Sequence, residues 1–231
     1  MRTLRGLYAI TPQHPGEGPP GYPEHEGQAP PDTFMRQVEL AIAGGARVIQ
    51  YRDKSSDLTR DWNRRLGQAQ ALRDLCRATG VALIVNDDIG LAAAVCADGV
   101  HLGRDDPALA DARRLLGDTA IIGVSCYNRL DLAEEAQAAG ADYVAFGSFF
   151  ASSTKPLAVR ADLGLLRLAR RRIHLPLVAI GGITPENGAA LIAAGADLLA
   201  VVSGVFAGPD PKAAAQRYAR LFDTPNLKDA P

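Results

Sequence analysis

Polar residues that could bind an oxyanion follow a short apolar run near residue 50. Gln50, Arg52 and Lys54 stand two residues apart, and residues two apart share one face of an extended chain. Arginine can bind a phosphate through two N–H groups, and lysine adds a compact positive charge. We therefore predict that these three side chains face a phosphorylated ligand. The alternative is a solvated loop with ordinary surface charges.

Acidic residues follow the next two apolar runs. Asn86, Asp87 and Asp88 end one run, and Asp106 stands directly before Pro107. Carboxylates from neighbouring strand ends could share Mg²⁺, which takes oxygen ligands and usually keeps waters and substrate phosphates. Taken singly, each aspartate is also a good helix N-cap, and proline suits the first helical position. The prediction of a magnesium site therefore depends on Asp87 and Asp106 converging.

Three later segments could hold a second phosphate. Ser152, Thr154 and Lys155 offer hydroxyl and ammonium donors. Gly181-Gly182 and Ser203-Gly204 let backbone N–H groups approach an anion, and the loops after the seventh and eighth strands commonly bind phosphate in α/β barrels. The alternative for the glycine pair is a tight turn that only starts the next helix.

The elements that must position these residues are short apolar runs between longer amphipathic segments. The strand candidates are Leu7–Ile10, Ala46–Arg52, Val81–Asn86, Asp98–Leu102, Ala120–Ser125, Asp142–Gly147, Pro176–Gly181 and Asp197–Ser203. Most runs show no polar alternation, as expected for strands covered on both faces. Helical patterns lie between them, for example at Phe34–Ala43, Thr59–Ala78, Arg129–Ala139 and Leu163–Arg171. Eight such units predict a parallel (β/α)8 TIM barrel.

Further patterns concern the organisation of the chain. Ala138–Asp142 recurs as Ala193–Asp197, each ending a helix and opening a strand, and Ala43–Ala46 is a looser copy. Two glycines without a G-x-G-x-x-G fingerprint disfavour the alternative, an open doubly wound sheet. We predict one domain over residues 1–223 and a flexible tail over 224–231. Residues 14–32 hold six prolines and four glycines, which predicts a surface insertion after the first strand.

Composition excludes several classes of function. The net charge of −1 and a hydrophobic content of 47% give no broad electrostatic case for nucleic acid or an anionic membrane. No apolar run approaches membrane-spanning length, and three cysteines without metal-like spacing indicate reduced thiols. We therefore expect a cytoplasmic protein that acts on small molecules, and the sequence leaves a homo-oligomer open. His101 is expected to pack or hydrogen-bond at the end of the fourth strand, and no Ser/His/Asp arrangement stands out.

Taken together, these residues resemble the thiamine-phosphate synthase family over nearly the whole chain, except residues 14–32 and the tail. Each motif is weak, but their order and strand positions are specific. The matching pieces are Gln50-x-Arg52-x-Lys54, Asn86-Asp87, His101-x-Gly103-x-x-Asp106, Gly123-Val124-Ser125, Thr154-Lys155, Gly181-Gly182-Ile183 and Val201-Val202-Ser203.

The resemblance implies a reaction in which hydroxymethylpyrimidine diphosphate loses pyrophosphate and the nitrogen of a thiazole phosphate takes its place. It implies Mg²⁺ held by Asp87 and Asp106, with Arg52, Lys155 and Ser125 acting on the reaction directly. The remaining implied contacts are Arg52, Lys54, Asn86 and Lys155 with the diphosphate, Gln50 and Ser125 with the diphosphate or the pyrimidine, and Ser152, Thr154 and the backbone of Gly182, Ser203 and Gly204 with the thiazole phosphate.

Departures from the family pattern leave two other interpretations. Arg104 replaces a usual glutamine, Ser152 a threonine and Tyr127 a frequent histidine, and the usual prolines near Ser148 and Ala151 are missing. A thiazole tautomerase would share the barrel and the thiazole phosphate site, but proton transfer needs a positioned acid or base such as histidine. A non-catalytic sensor of a thiamine precursor would keep the phosphate site without a need for two carboxylates and Lys155.

Overall fold

The chain forms a closed barrel of eight parallel strands, here described from a computed structural model that covers residues 4–12, 31–53, 61–103, 108–151 and 159–223. The strands pair in chain order, and β1 closes the barrel against β8. They are β1 Gly6–Ile10, β2 Ala46–Tyr51, β3 Ala82–Asn86, β4 Gly99–Leu102, β5 Ile121–Tyr127, β6 Tyr143–Gly147, β7 Leu177–Ile180 and β8 Leu198–Val201. The predicted (β/α)8 TIM barrel is confirmed.

Helices alternate with the strands and cover the outside of the barrel. They are α1 Pro31–Ala43, α2 Trp62–Thr79, α3 Ile89–Val95, α4 Leu109–Leu116, α5 Leu130–Ala138, α6 Leu163–Arg172, α7 Pro185–Ala193, α8 Ser203–Phe206 and α9 Pro211–Ala219, followed by a 3₁₀ turn, Arg220–Phe222. None of the helices in these ranges is long and apolar enough to cross a membrane.

The first helix begins earlier than the sequence indicated. The insertion was predicted to run to Asp32 and the helix to start at Phe34, whereas α1 starts at Pro31. Proline is compatible with the first helical position, because the N–H that it lacks has no partner within the helix there. The rest of the predicted insertion and the predicted tail lie outside the described residues.

Two apolar layers explain why the strands read as continuous apolar runs. Tyr8 and Ile10 point into the barrel, where they belong to an interior cluster that also includes Ile84. Leu7 and Ala9, between them in sequence, belong to the larger cluster between the sheet and the helices. Because both faces of β1 are buried, apolar residues occupy both sets of alternating positions.

The amino ends of three strands share one device. Asp98, Asp142 and Asp197 stand directly before β4, β6 and β8, and each carboxylate accepts a backbone N–H from the neighbouring strand, with N···O distances of 2.8, 2.8 and 2.9 Å. Arg113 of α4 contacts Asp142 at 2.7 Å, and Arg170 of α6 contacts Asp197 at 2.8 Å. The sequence repeat of 138–142 in 193–197 therefore has a structural basis, because each copy ends in such an aspartate. We call an aspartate that precedes a strand and accepts an N–H from the neighbouring strand the amino-end aspartate motif.

Candidate active site

Side chains from five strands form a chain of hydrogen bonds across the barrel interior. Gln50 Nε2 donates to the Tyr8 hydroxyl at 2.8 Å, and the hydroxyls of Tyr8 and Tyr143 lie 2.8 Å apart. The Tyr143 hydroxyl lies 3.0 Å from His101 Nδ1, and His101 Nε2 lies 2.8 Å from Ser125 Oγ. Gln50, predicted to face a ligand, is thus buried and joined to Ser125 through three other side chains.

Gly123 leaves the space in which two of these rings meet. His101, Gly123 and Tyr143 are neighbours in register on β4, β5 and β6. The His101 and Tyr143 rings stack, with centroids 5.6 Å apart and planes at 16°. A Cβ atom on Gly123 would lie 1.9 Å from the Tyr143 ring, far inside van der Waals contact. Packing against the Tyr143 ring therefore explains why the first residue of the Gly123-Val124-Ser125 motif is glycine.

The end of β2 is fixed by Thr11, a buried residue just after β1. The Thr11 N–H donates to the Gln50 carbonyl at 2.9 Å, and the Thr11 hydroxyl accepts the Arg52 N–H at 3.0 Å. Arg52 itself is partly buried, and this burial lowers the pKa of its guanidinium, while the nearby Asp87 carboxylate acts in the opposite direction. Arg52 and Asp87, predicted from different strands, therefore lie close enough to interact.

The end of β3 separates the two adjacent aspartates. Asp88 is the N-cap of α3: one carboxylate oxygen accepts the Leu91 N–H at 2.8 Å, and the other pairs with Arg65 at 2.7 Å. Asp87 instead takes a left-handed backbone conformation, with φ of 64°, and its N–H donates to the His101 carbonyl at 2.8 Å. The sequence allowed either aspartate to cap the helix, and the structure shows that Asp88 is the cap.

The conformation of Asp87 is itself informative. A left-handed residue other than glycine costs roughly 1–2 kcal/mol, and such strain concentrates at functional sites. Asn86, the residue before it, stands opposite His101 in the strand register. The end of β3 therefore brings an amide and a carboxylate to the same edge of the barrel as Arg52.

The glycine pair after β7 has a packing role in addition to any ligand contact. Gly181 and Gly182 have φ of 105° and 61°, and the Phe150 N–H donates to the Gly181 carbonyl at 3.0 Å. A Cβ atom on Gly182 would lie 2.2 Å from the Ala151 carbonyl oxygen. The chain bends at the glycine pair, and Thr184 is the N-cap of α7, as the alternative interpretation expected. The contact with phosphate stays a prediction.

Ser203 and Gly204 form the first turn of the short helix α8 and are exposed. A Cβ atom on Gly204 would lie 2.2 Å from the Tyr218 hydroxyl oxygen, which donates to the Ile183 carbonyl at 3.0 Å. Gly204 therefore lets α9 pack against the loop after β7. Both backbone N–H groups lie at the carboxyl end of β8, as predicted.

Several predicted site residues lie outside the described residues. They are Lys54, Asp106, Ser152, Thr154 and Lys155, together with the departure Arg104. The magnesium pair and the hydroxyl loop after β6 therefore stay predictions. Within the described ranges, no group of three His, Cys, Asp or Glu side chains gathers at metal-binding distance.

Two features of the site were missed in the sequence. Tyr8 and Tyr143 sit inside apolar runs, and the only signal of their role is a hydroxyl at an inward-facing strand position. No Ser/His/Asp arrangement was apparent, yet Ser125 and His101 form a hydrogen-bonded pair. The other ring nitrogen of His101 faces a tyrosine hydroxyl where a triad would have a carboxylate. The prediction that His101 hydrogen-bonds at the end of β4 is confirmed.

Polar groups lie at the carboxyl ends of the parallel strands, where barrel enzymes have their active sites, and comparison with known proteins identifies the family. The family model for thiamine monophosphate synthase matches residues 23–205. The chain is 57% identical over 223 residues to the thiamine-phosphate synthase of Thiobacillus denitrificans, covering 96% of this chain and 97% of that protein. It is 53% identical over 220 residues to that of Thioalkalivibrio sulfidiphilus, covering 95% and 96%.

A solved structure agrees with these relatives. The thiamine phosphate pyrophosphorylase from Pyrococcus furiosus superposes with a TM-score of 0.78 at 31% identity, covering 96% of this chain and 97% of that one. The chain belongs to the thiamine monophosphate synthase family, and it is an enzyme of the transferase class.

Proposed function

We propose that the enzyme joins hydroxymethylpyrimidine diphosphate to a thiazole phosphate, with release of pyrophosphate and formation of thiamine phosphate. The observation that carries the proposal is the grouping of Gln50, Arg52, Asn86, Asp87 and Ser125 at one end of a barrel whose relatives are named thiamine-phosphate synthases. These residues supply amide, hydroxyl, guanidinium and carboxylate groups, which suit a diphosphate attached to a polar ring.

The reaction breaks the bond between the pyrimidine methylene carbon and the diphosphate oxygen. An amino-substituted ring can spread positive charge from that carbon, so departure of the diphosphate can run ahead of attack by the thiazole nitrogen. The attacking nitrogen carries no proton, and the reaction needs no general base. The site must therefore stabilise the leaving anion more strongly than the bound ester, which is complementarity to the transition state.

In this proposal Arg52, Lys54 and Lys155 neutralise charge that collects on the departing diphosphate, and Asn86 donates a hydrogen bond to it. Partial burial of Arg52 supports this role, since a desolvated guanidinium gains more from a bound anion than an exposed one. Gln50 and Ser125 orient the pyrimidine. Ser152, Thr154 and the backbone of Gly182, Ser203 and Gly204 bind the thiazole phosphate, which keeps the attacking nitrogen in place.

Mg²⁺ fits the donor set at the end of β3. Asp88 is committed to the N-cap of α3 and to Arg65, whereas Asp87 has a strained backbone beside Arg52. Asp87, with Asp106 after β4, would hold the ion. Bound there, Mg²⁺ would offset the charge of the leaving pyrophosphate.

The test is an assay with both precursors. We expect equimolar pyrophosphate and thiamine phosphate when the two substrates and Mg²⁺ are present, and neither product when one substrate is left out. Tight binding of a precursor without turnover would favour the sensor, and conversion of the thiazole phosphate without the pyrimidine would favour the tautomerase. Loss of activity in EDTA with recovery on adding Mg²⁺ tests the cation separately.

We also propose a cytoplasmic location. All three cysteines are free, and Cys76 and Cys126 are buried. Free thiols fit a reducing compartment.

A further inference from the structure

The hydrogen-bond chain from Gln50 to Ser125 includes three residues to which the proposed reaction assigns no role. Tyr8, Tyr143 and His101 lie between the two ends, and no more than 2% of either tyrosine is exposed. Burial raises the pKa of both phenols. Each tyrosine therefore stays neutral at physiological pH and carries one proton to donate.

This proton count restricts the direction of the hydrogen bonds. Gln50 Nε2 donates to Tyr8, so the Tyr8 proton must go to Tyr143, and the Tyr143 proton to His101 Nδ1. His101 then carries its proton on Nε2 and donates it to Ser125 Oγ. A reversal at any one link would set two protons against each other or leave a buried hydroxyl proton without its acceptor in the chain, which is unfavourable.

The two ends of the chain are consequently coupled. With the protons ordered in this way, the remaining oxygen of Gln50 is an acceptor, and the Ser125 hydroxyl keeps its own proton to donate. The other consistent order reverses every bond. In it the Gln50 oxygen accepts from Tyr8, and the histidine proton lies on Nδ1. The Ser125 hydroxyl then donates to His101, so towards a ligand Ser125 can only accept. The orientation of the Gln50 amide therefore fixes whether Ser125, on a different strand, donates or accepts towards a ligand.

The position of Tyr143 over Gly123 makes the central link possible. The Tyr143 ring stacks on His101 and meets Tyr8 edge to face, with Tyr8–Tyr143 centroids 6.0 Å apart and planes at 76°. Any side chain on Gly123 would occupy this space. The rings are thus fixed by packing, and they hold their polar atoms in line.

We propose that Tyr8, Tyr143 and His101 are positioning residues that set Gln50 as an acceptor and Ser125 as a donor towards the bound heterocycle. This rests on the proposed function, in which Gln50 and Ser125 contact the pyrimidine. An aminopyrimidine offers the matching pattern, because its amino group donates a hydrogen bond and its ring nitrogens accept one. The chain selects a ring with that pattern and holds it in one orientation.

The tautomer of His101 gives a readout that needs no turnover. In protein labelled with ¹⁵N-histidine, His101→Gln identifies the His101 signals. We expect the parent to show a protonated Nε2 and an unprotonated Nδ1. Tyr143→Phe keeps the ring and the packing but removes the donor to Nδ1, so the spectrum should shift towards a mixture of tautomers. Tyr8→Phe cuts the link between Gln50 and Tyr143, so the direction of the Tyr143–His101 bond is no longer set and the spectrum should also shift towards a mixture.

Kinetics separate positioning from a purely structural effect. Tyr8→Phe and Tyr143→Phe should each raise KM for the pyrimidine diphosphate by roughly tenfold, with KM for the thiazole phosphate within about twofold of the parent, since one hydrogen-bond partner is lost at the pyrimidine end only. Tyr51→Phe is the matched control. It removes another buried hydroxyl, which donates to Gln68 Oε1 at 2.9 Å, and should lower thermal stability while leaving both KM values and the tautomer unchanged.

A parent His101 protonated on Nδ1 would overturn the proposed direction of the chain. Unchanged pyrimidine KM in both phenylalanine variants would overturn the positioning role. If the parent makes no pyrophosphate from the two precursors, the proposed function fails by that assay, whereas the tautomer measurement still decides the order of the protons.

Discussion

The two ends of the barrel use the same residue types in different ways. At the amino ends, Asp142 and Asp197 each accept a strand N–H and pair with an arginine from a helix. At the carboxyl ends, Asp87 has a left-handed backbone and its carboxylate acts on the pKa of Arg52, and Gln50 and Ser125 end a hydrogen-bond chain. The amino-end groups repeat along the sequence, and the carboxyl-end groups do not. The repeated contacts are therefore structural, and the proposed chemistry falls at the end without repetition.

The largest effect expected is from Asp87→Ala. If Asp87 holds Mg²⁺ as proposed, loss of its carboxylate should lower the rate of pyrophosphate release by roughly 100-fold or more. The free energy of unfolding should fall little, because the N-cap and the ion pair at this end of β3 belong to Asp88.

The matched variant is Asp88→Ala, which removes that N-cap and the partner of the buried Arg65. It should lower the free energy of unfolding, measured by urea denaturation, by about 1–3 kcal/mol. It should reduce turnover per folded molecule far less than Asp87→Ala does. Equal loss of turnover in the two variants would remove the distinction between them.

Gly123→Ala should have the next largest effect. Its Cβ atom would meet the Tyr143 ring at 1.9 Å, and overpacking of this kind costs about 1–3 kcal/mol. Displacement of the ring should also raise KM for the pyrimidine diphosphate. The same substitution at Gly67, in α2 with no atom within 4 Å of the added Cβ, should stabilise the protein by up to about 1 kcal/mol. Urea denaturation and steady-state kinetics check both. A Gly123→Ala protein as stable as Gly67→Ala would show that the barrel interior relaxes freely around the added methyl group.

The smallest effect is expected at Cys96, which precedes the third amino-end aspartate motif, at Asp98. Cys96 ends α3 with φ of 53° and stands two residues before Asp98, as Gly140 and Gly195 stand before the other two aspartates. Cys96→Gly relieves the left-handed strain but loosens the unfolded chain. We expect a net gain of up to about 1 kcal/mol in unfolding free energy with unchanged kinetics. A loss of stability would show that Cys96 does more than take a backbone conformation in which glycine is favoured.

Much of the architecture could be predicted because buried parallel strands leave a plain signal. The eight apolar runs are close to the observed strands, and Gly140 and Gly195 are at the predicted helix ends. The motif at Asp98 was missed in the sequence, because Cys96 stands where the other two copies have a glycine. The start of α1 at Pro31 was missed because proline in a proline-rich stretch resembles an insertion, whereas at a helix start it is favourable.

The site could be predicted only in part. Residues at strand ends, such as Arg52 and Asp87, follow from the rule that barrel chemistry gathers at the carboxyl ends. Which aspartate caps α3 depended on backbone geometry, which sequence does not specify. Tyr8 and Tyr143 contact each other across 135 positions of the chain. No local pattern shows that a hydroxyl inside an apolar run meets another one so far away.

The separation of the two barrel ends is tested most directly by the double variant Asp142→Ala/Asp197→Ala, measured for both unfolding free energy and pyrophosphate release per folded molecule. Each substitution removes a charge-assisted hydrogen bond, worth about 1.5–3 kcal/mol. We predict a clear fall in stability with a turnover rate within about twofold of the parent. Turnover that falls as far as in Asp87→Ala, in protein still folded at the assay temperature, would contradict the assignment of chemistry to the carboxyl-end residues alone.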